Sequence, residues 1–166
     1  MKENFFLPIL CFACLLFVLF SACKKDTGSN NYLRGKIGGV SFECNSNIWA
    51  TPAGAGDKII ALRGDWSTYS SIRFYLDGQG SDITTGVYNF QTGNIYNAIL
   101  YENNDAYSAG YFCGVASPCT LEGSGKITFL EISKKHIKGT FEFVTSGNGA
   151  TGMSKTVSDG EFYIKR

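Results

Sequence analysis

Residues 125–144, GKITFLEISKKHIKGTFEFV, decide the fold. Two runs rich in β-branched and aromatic side chains, 127–132 and 137–144, flank the polar tetrapeptide Ser133-Lys134-Lys135-His136, the pattern of a tight antiparallel connection. Setting Ile132 against Ile137 places Glu131 opposite Lys138, Leu130 opposite Gly139 and Phe129 opposite Thr140. An opposite-charge pair and an aromatic/β-branched pair then support one register. On the second strand Ile137, Phe141 and Phe143 share one face while Lys138, Thr140 and Glu142 share the other, as in a half-buried strand. On the first strand Ile127 and Phe129 point opposite to Leu130 and Ile132. That conflict needs a bulge near Phe129 or a strand covered on both faces, and the covered strand is the preferred reading.

Outward from this hairpin the chain repeats the same pattern. Residues 33–37 and 40–44 alternate around Gly38-Gly39, which supply the positive φ of a primed hairpin turn, and Ile48-Trp49-Ala50 continue the second strand. Residues 58–64 and 71–77 form a hairpin across a loop at 65–70, with Ile72, Phe74 and Leu76 on one face. A short strand covers 86–90, and Asn103-Asn104-Asp105 turns the hairpin 95–102 and 106–113. Residues 115–122 are irregular, Pro118 blocks a central-strand role there, and 146–154 is a glycine-rich excursion before the closing strand 160–165. About ten short strands with turn signals between them predict an all-β antiparallel β-sandwich. The alternative is an up-and-down, lipocalin-like β-barrel.

The segment GSGKITFLEISKKHIKGTFEFV followed by TVSDGEFYIKR resembles the C-terminal half of the DUF6252-like family of uncharacterised Bacteroidota lipoproteins. The resemblance rests on Gly86-Val87-Tyr88, on Lys138-Gly139-Thr140-Phe141-Glu142-Phe143 and on Asp159-Gly160-Glu161-Phe162. It implies an envelope β-domain and brings no activity or functional residue with it.

The N-terminus reads as an export signal: Lys2 supplies a positive start and residues 5–20 are apolar throughout. That run is shorter than the ~20 residues a helix needs to cross a bilayer. It ends at Phe20-Ser21-Ala22-Cys23, which resembles a lipobox, so residues 1–22 are expected to be a lipoprotein signal peptide and Cys23 to carry the lipid. Three acyl chains, palmitate among them, at ~0.8 kcal/mol per buried methylene, make a permanent anchor. Residues 23–31 are then the lipidated cysteine and a polar tether, and 32–166 a single β domain. Lys24 is not the Asp of inner-membrane retention, so an outer-membrane lipoprotein facing the periplasm or the cell surface is expected. At 44% hydrophobic and 14% aromatic, the chain has enough apolar side chains for one real core. A net charge of +1 gives none of the concentrated basic surface that nucleic acid binding requires.

Once the expected signal, with its Cys11 and Cys14, is removed, Cys44, Cys113 and Cys119 remain besides Cys23. Outside the cytoplasm a disulfide is reasonable; Cys113 and Cys119 flank a short loop and are the first candidates, with Cys44 pairing to either as the alternative. Their spacing is too wide for a zinc knuckle and His136 is the sole histidine, so no metal is expected. Asp77-Gly78-Gln79-Gly80-Ser81-Asp82 offers oxygen ligands of the calcium type near Asp77 and Asp82, but it lacks the terminal Glu of a calcium loop and reads as an ordinary turn. His136 sits in a turn with no orienting carboxylate in sequence. No catalytic motif is present. Asp65, Asp77 and Asp82 supply the acids that a hydrolase of envelope or dietary polysaccharide would need. A small-ligand carrier would need a closed barrel instead.

What remains are the aromatics Trp49, Trp66, Tyr69, Tyr75, Tyr96, Tyr101, Tyr107 and Tyr111. Most suit sheet packing. Trp66 and Tyr69, in the loop 65–70, are the candidates for binding a glycan or a neighbouring envelope protein. The expected role is therefore a membrane-anchored, non-catalytic binding or structural module.

Overall fold

The computed structural model describes residues 30–51, 57–91, 95–103, 105–112, 120–147 and 152–166. Residues 1–22, expected to be a signal peptide, and Cys23, Cys113 and Cys119 lie outside them. The described residues form two antiparallel sheets of six strands each, an all-β sandwich that is not closed into a barrel. The strands are β1 (Tyr32–Ile37), β2 (Val40–Glu43), β3 (Ser46–Ala50), β4 (Ile59–Ser67), β5 (Ser70–Asp77), β6 (Gly86–Asn89), β7 (Ile95–Glu102), β8 (Asp105–Phe112), β9 (Thr120–Glu122), β10 (Ser124–Ile132), β11 (His136–Val144) and β12 (Thr156–Lys165). The first sheet runs β2-β1-β12-β11-β10-β6 and the second β3-β4-β5-β7-β8-β9.

The deciding hairpin, β10–β11, closes at Ile132–Ile137 and keeps Glu131 opposite Lys138. Beyond that pair the expected register fails. Phe129 faces Gly139 and Thr128 faces Thr140, because β10 bulges at Leu130. The covered-strand reading is thereby corrected. One extra residue throws Leu130 into solvent, 57% exposed, and lets Ile127, Phe129 and Ile132 all reach the core side.

On its other side β11 makes a reciprocal contact. β11 and β12 pair so that Gly139 faces Phe162 and Phe141 faces Gly160. A methyl group on Gly139 would lie 2.5 Å from the Phe162 ring, and one on Gly160 would lie 2.3 Å from the Phe141 ring. Each glycine makes room for the phenyl ring of the neighbouring strand. The two Gly-x-Phe motifs are one piece of packing.

Inside, Phe74 of the second sheet meets Phe141 and Phe143 of the first at 4.9 and 5.9 Å between ring centroids. Leu33, Ile60, Leu62, Ile72, Leu100 and Ile127 fill the same layer, fully or almost fully buried. Burying each such side chain contributes about 1.5–3 kcal/mol before chain entropy is subtracted. Tyr96 and Tyr107, two of the aromatics weighed for binding, are core residues at 7% and 4% exposure.

Gly38 and Gly39 both take positive φ, as the β1–β2 turn demands. The expected continuation of that strand through Ile48-Trp49-Ala50 is corrected: Cys44 N–H donates to Leu33 of the first sheet, whereas Asn45 N–H donates to Asp65 of the second. The chain changes sheets between two consecutive residues. Cys44 is a free, buried thiol whose Sγ would lie 2.7 Å from a methyl on Gly64, so it plugs the corner where the sheets meet. Burial, with the Asp65 and Glu43 charges adding to it, pushes its pKa up to about 12, leaving it protonated and unreactive.

Asn31, placed in the tether by sequence, is tied to both sheets: its side chain donates to Ile48 O and accepts from Lys165 N–H. Arg166 holds the same end, bonding Thr51 O and the Asp57 carboxylate from a fully buried position.

Candidate functional site

β4 and β5 are the strands that shape the site. Their register runs Arg63–Arg73, then Asp65–Ser71, then Ser67–Ser70, with a one-residue bulge at Trp66. The bulge corrects the expected loop at 65–70, leaving Thr68 and Tyr69 as the turn between paired residues Ser67 and Ser70. It also separates the two aromatics that sequence grouped together. Trp66 turns inward against Phe42, ring centroids 4.9 Å apart, while Tyr69 stays 59% exposed at the hairpin tip.

On the outer face of the second sheet Trp49, Arg63, Arg73, Ile99 and Ser108 follow one another across adjacent strands. The next row toward the hairpin tip is Asp65, Ser71, Tyr101 and Ala106. Between these rows lies a hollow of about 210 Å³ lined by Arg63, Asp65, Ser67–Ser71, Arg73 and Tyr101.

Asp65 organises one side of it. Arg63 donates from Nε to Oδ1 at 2.9 Å and from Nη2 to Oδ2 at 3.0 Å, a forked pair, and Asn47 Nδ2 donates to Oδ2 at 2.7 Å. Asn47 reaches there from a positive φ of 48°. Burial pushes the Asp65 carboxyl up, but the Arg63 and Asn47 hydrogen bonds with the Arg63 and Arg73 charges outweigh it and hold it below the usual carboxylate range. The same hydrogen bond raises Arg63, against its own desolvation.

Arg73 is treated differently. It directly faces Arg63 across the strands, an unfavourable like-charge pair. Its guanidinium carbon lies 4.7 Å from the centre of the Tyr101 ring. Its Nε is shut off from solvent without a hydrogen-bond partner, and among the described residues it enters no ion pair.

Larger hollows lie elsewhere. Those of about 370 and 270 Å³ on the outer face of the first sheet are lined by Arg34, Lys36, Lys126, Glu142, Asp159 and Glu161 among others, whose charges pair with one another. One of about 560 Å³ runs along the β2 edge past Phe42 and Trp66 to the Glu102–Lys155 pair. None holds an unmatched arginine, so size is a poorer guide here than charge.

His136 has the orienting carboxylate that sequence did not reveal. Its Nε2 lies 2.8 Å from Glu131 Oε1 and its ring stacks on Tyr163 at 4.9 Å. Asp65 and Asp77 lie toward opposite ends of the β4–β5 hairpin, about 20 Å apart at the rise of a strand, so these two acids do not converge. Asp77 accepts from Gln79 N–H, and Ser81 N–H closes a turn on Gly78 O. Among the described residues no group of three or more His, Cys, Asp or Glu side chains is placed to hold a metal ion.

Sequence reasoning picked out Tyr69 and Asp65 but missed Arg63, Arg73 and Asn47. Searches against protein families, curated proteins and solved structures returned no match to the chain.

Proposed function

We propose that the protein is a non-catalytic binding module of the cell envelope, held to the outer membrane through a lipid on Cys23, with the outer face of the second sheet as its ligand-binding surface. The observation that carries this reading is the grouping of Trp49, Tyr69 and Tyr75, at 44%, 59% and 36% exposure, around the two arginines on one sheet face. Three large side chains with apolar faces and polar tips, left uncovered beside charged donors, suit a ligand that is both stacked upon and hydrogen-bonded.

The resemblance to envelope lipoproteins with strand-and-turn motifs agrees with the envelope address.

Two measurements test it. Cys23→Ser is expected to leave the protein unlipidated and shift it out of the membrane fraction; unchanged fractionation removes the anchor. The full chain is expected to be retained on at least one immobilised envelope or dietary polysaccharide, and Trp49→Ala with Tyr69→Ala to weaken retention at least tenfold. Retention untouched by the double substitution would move the binding surface elsewhere.

A further inference from the structure

We infer that the group recognised in the hollow is a carboxylate on a sugar ring, that of a uronic acid, seated against Arg73 with its ring against Tyr69. This rests on the binding-module reading above and adds the chemical class of its ligand.

The charge count comes first. Two arginines and one aspartate line the hollow, leaving one positive charge over. Both oxygens of Asp65 are already engaged by Arg63 and Asn47. Asp65 therefore fixes Arg63 by hydrogen bonds and meets Arg73 only through its charge. A like-charge pair directly across two strands works against the hairpin, and the two arginines share the single Asp65 charge between them.

Geometry narrows the ligand. Tyr101 lies against the Arg73 guanidinium and holds it from one side, so the group is oriented before any ligand arrives. A planar guanidinium matches a carboxylate with two parallel hydrogen bonds. The single surplus charge suits a monoanion better than a phosphate, which carries about −1.5 to −2 near neutral pH. At about 210 Å³ the hollow is smaller than the 300–1,000 Å³ of sites that enclose drug-sized ligands, so it takes one ring, free or as part of a chain. Exposed hydroxyls on Ser67 and Thr68 stand at its rim for the hydroxyls of that ring.

Titration calorimetry on the full chain in mild detergent tests this with five probes: galacturonate, a galacturonate trisaccharide, the methyl ester of that trisaccharide, the neutral galactose trisaccharide and inorganic phosphate. The acidic trisaccharide is expected to bind, and the ester and neutral sugar to bind at least tenfold more weakly. Tighter binding of the trisaccharide than of the monomer assigns the site to a chain, equal binding to a single terminal residue; either supports the inference. Arg73→Met is expected to weaken the acid by ten- to a hundredfold while leaving the ester unchanged, and Arg73→Lys to recover part of the loss. Raising salt is expected to weaken only the acid. Equal affinity for acid and ester overturns the carboxylate assignment and leaves the binding face standing. Preference for phosphate, or binding to none of the probes, overturns it as well. Loss of polysaccharide retention in Trp49→Ala/Tyr69→Ala remains the separate measure of the face itself.

Discussion

The two outer faces of the sandwich solve the same problem in opposite ways. On the first sheet, charges are placed against their complements: Arg34 faces Glu161 and Lys126 faces Glu142 as strand partners, with ion-pair distances of 2.6 and 3.0 Å. Lys36 reaches Asp159 and His136 reaches Glu131 on the same surface. Tyr163 stacks between Tyr32 and His136, and Arg34 covers Tyr32. On the second sheet two arginines face each other, one carboxylate is buried beside them, and one guanidinium is left over. On the first face each of these charges has an opposite charge within reach in the same sheet. The second leaves one arginine without an ion pair among the described residues, and a local rule broken in an otherwise consistent sheet is where function is to be sought.

The contrast is broken most severely through Asp65. Removing this carboxylate in Asp65→Ala strips Arg63 and Asn47 of their acceptor and leaves two cations facing each other, at a cost of about 3 kcal/mol in unfolding free energy. On the other face Glu161→Ala exposes Arg34 to water and costs no more than about 1 kcal/mol. Urea unfolding of both variants measures the difference, and equal losses would mean the two faces do not differ in kind.

Acid sharpens the same point. Asp65 is held below its ordinary value in the folded protein, so the stability it contributes is present above an unfolded-state value near pH 4 and disappears as pH falls through its lower folded value. The gap in stability between wild type and Asp65→Asn is expected to be constant from pH 7 to about 5 and to close below about pH 4. A gap that stays the same down to pH 3 would show that the carboxylate and its amide are equivalent there.

Arg73 gives a smaller effect of opposite sign. In Arg73→Met the similar apolar stem is kept, and the buried unpartnered Nε and the like-charge contact are removed, a relief of about 1–3 kcal/mol. Loss of the contact with Tyr101 and of the charge attraction to Asp65 takes back about 1 kcal/mol. The net expectation is a protein more stable by about 1 kcal/mol that has lost its ligand, a trade between stability and function. A variant less stable than wild type by as much would assign Arg73 a structural role and remove the reason for seeking an anion.

Much of this architecture was legible because strands announce themselves by alternation. The Ile132–Ile137 closure, the Glu131–Lys138 pair, the Gly38-Gly39 turn and the inward row Ile72, Phe74, Leu76 all follow from local pattern. What failed to show were single-residue irregularities. The bulge at Leu130 shifts the β10–β11 pairing below it by one residue, and the Gly139–Phe162 and Phe141–Gly160 contacts depend on the separate register of β11 with β12, where the motif glycines look like mere turn residues in isolation. The site was hidden for the same reason. Counting back from the Thr68-Tyr69 turn without a bulge would set Arg63 against Phe74, and only the extra residue at Trp66 brings Arg63 against Arg73. Asp65 stood out in the sequence as an acid, but its hydrogen-bonded anchoring of an arginine depends on Asn47, which arrives from a strand that changes sheets just before it.

The smallest effect tests the quiet face on its own terms. A cycle of Arg34→Ala, Glu161→Ala and the double variant isolates the coupling between two half-exposed side chains that meet at 2.6 Å as direct strand partners. Exposure and screening limit such a pair to about 0.5 kcal/mol, although the hydrogen bond from Arg34 Nε to the same Glu161 oxygen places it toward the upper end of its class. The coupling is expected to fall toward zero at 1 M salt, where the Debye length shrinks to about 3 Å, while the penalty of Asp65→Ala, made of buried hydrogen bonds, is expected to persist. Coupling above about 2 kcal/mol, or coupling indifferent to salt, would show that the first face is held together by its charges, and the distinction drawn between the two surfaces would then have to rest on Arg73 alone.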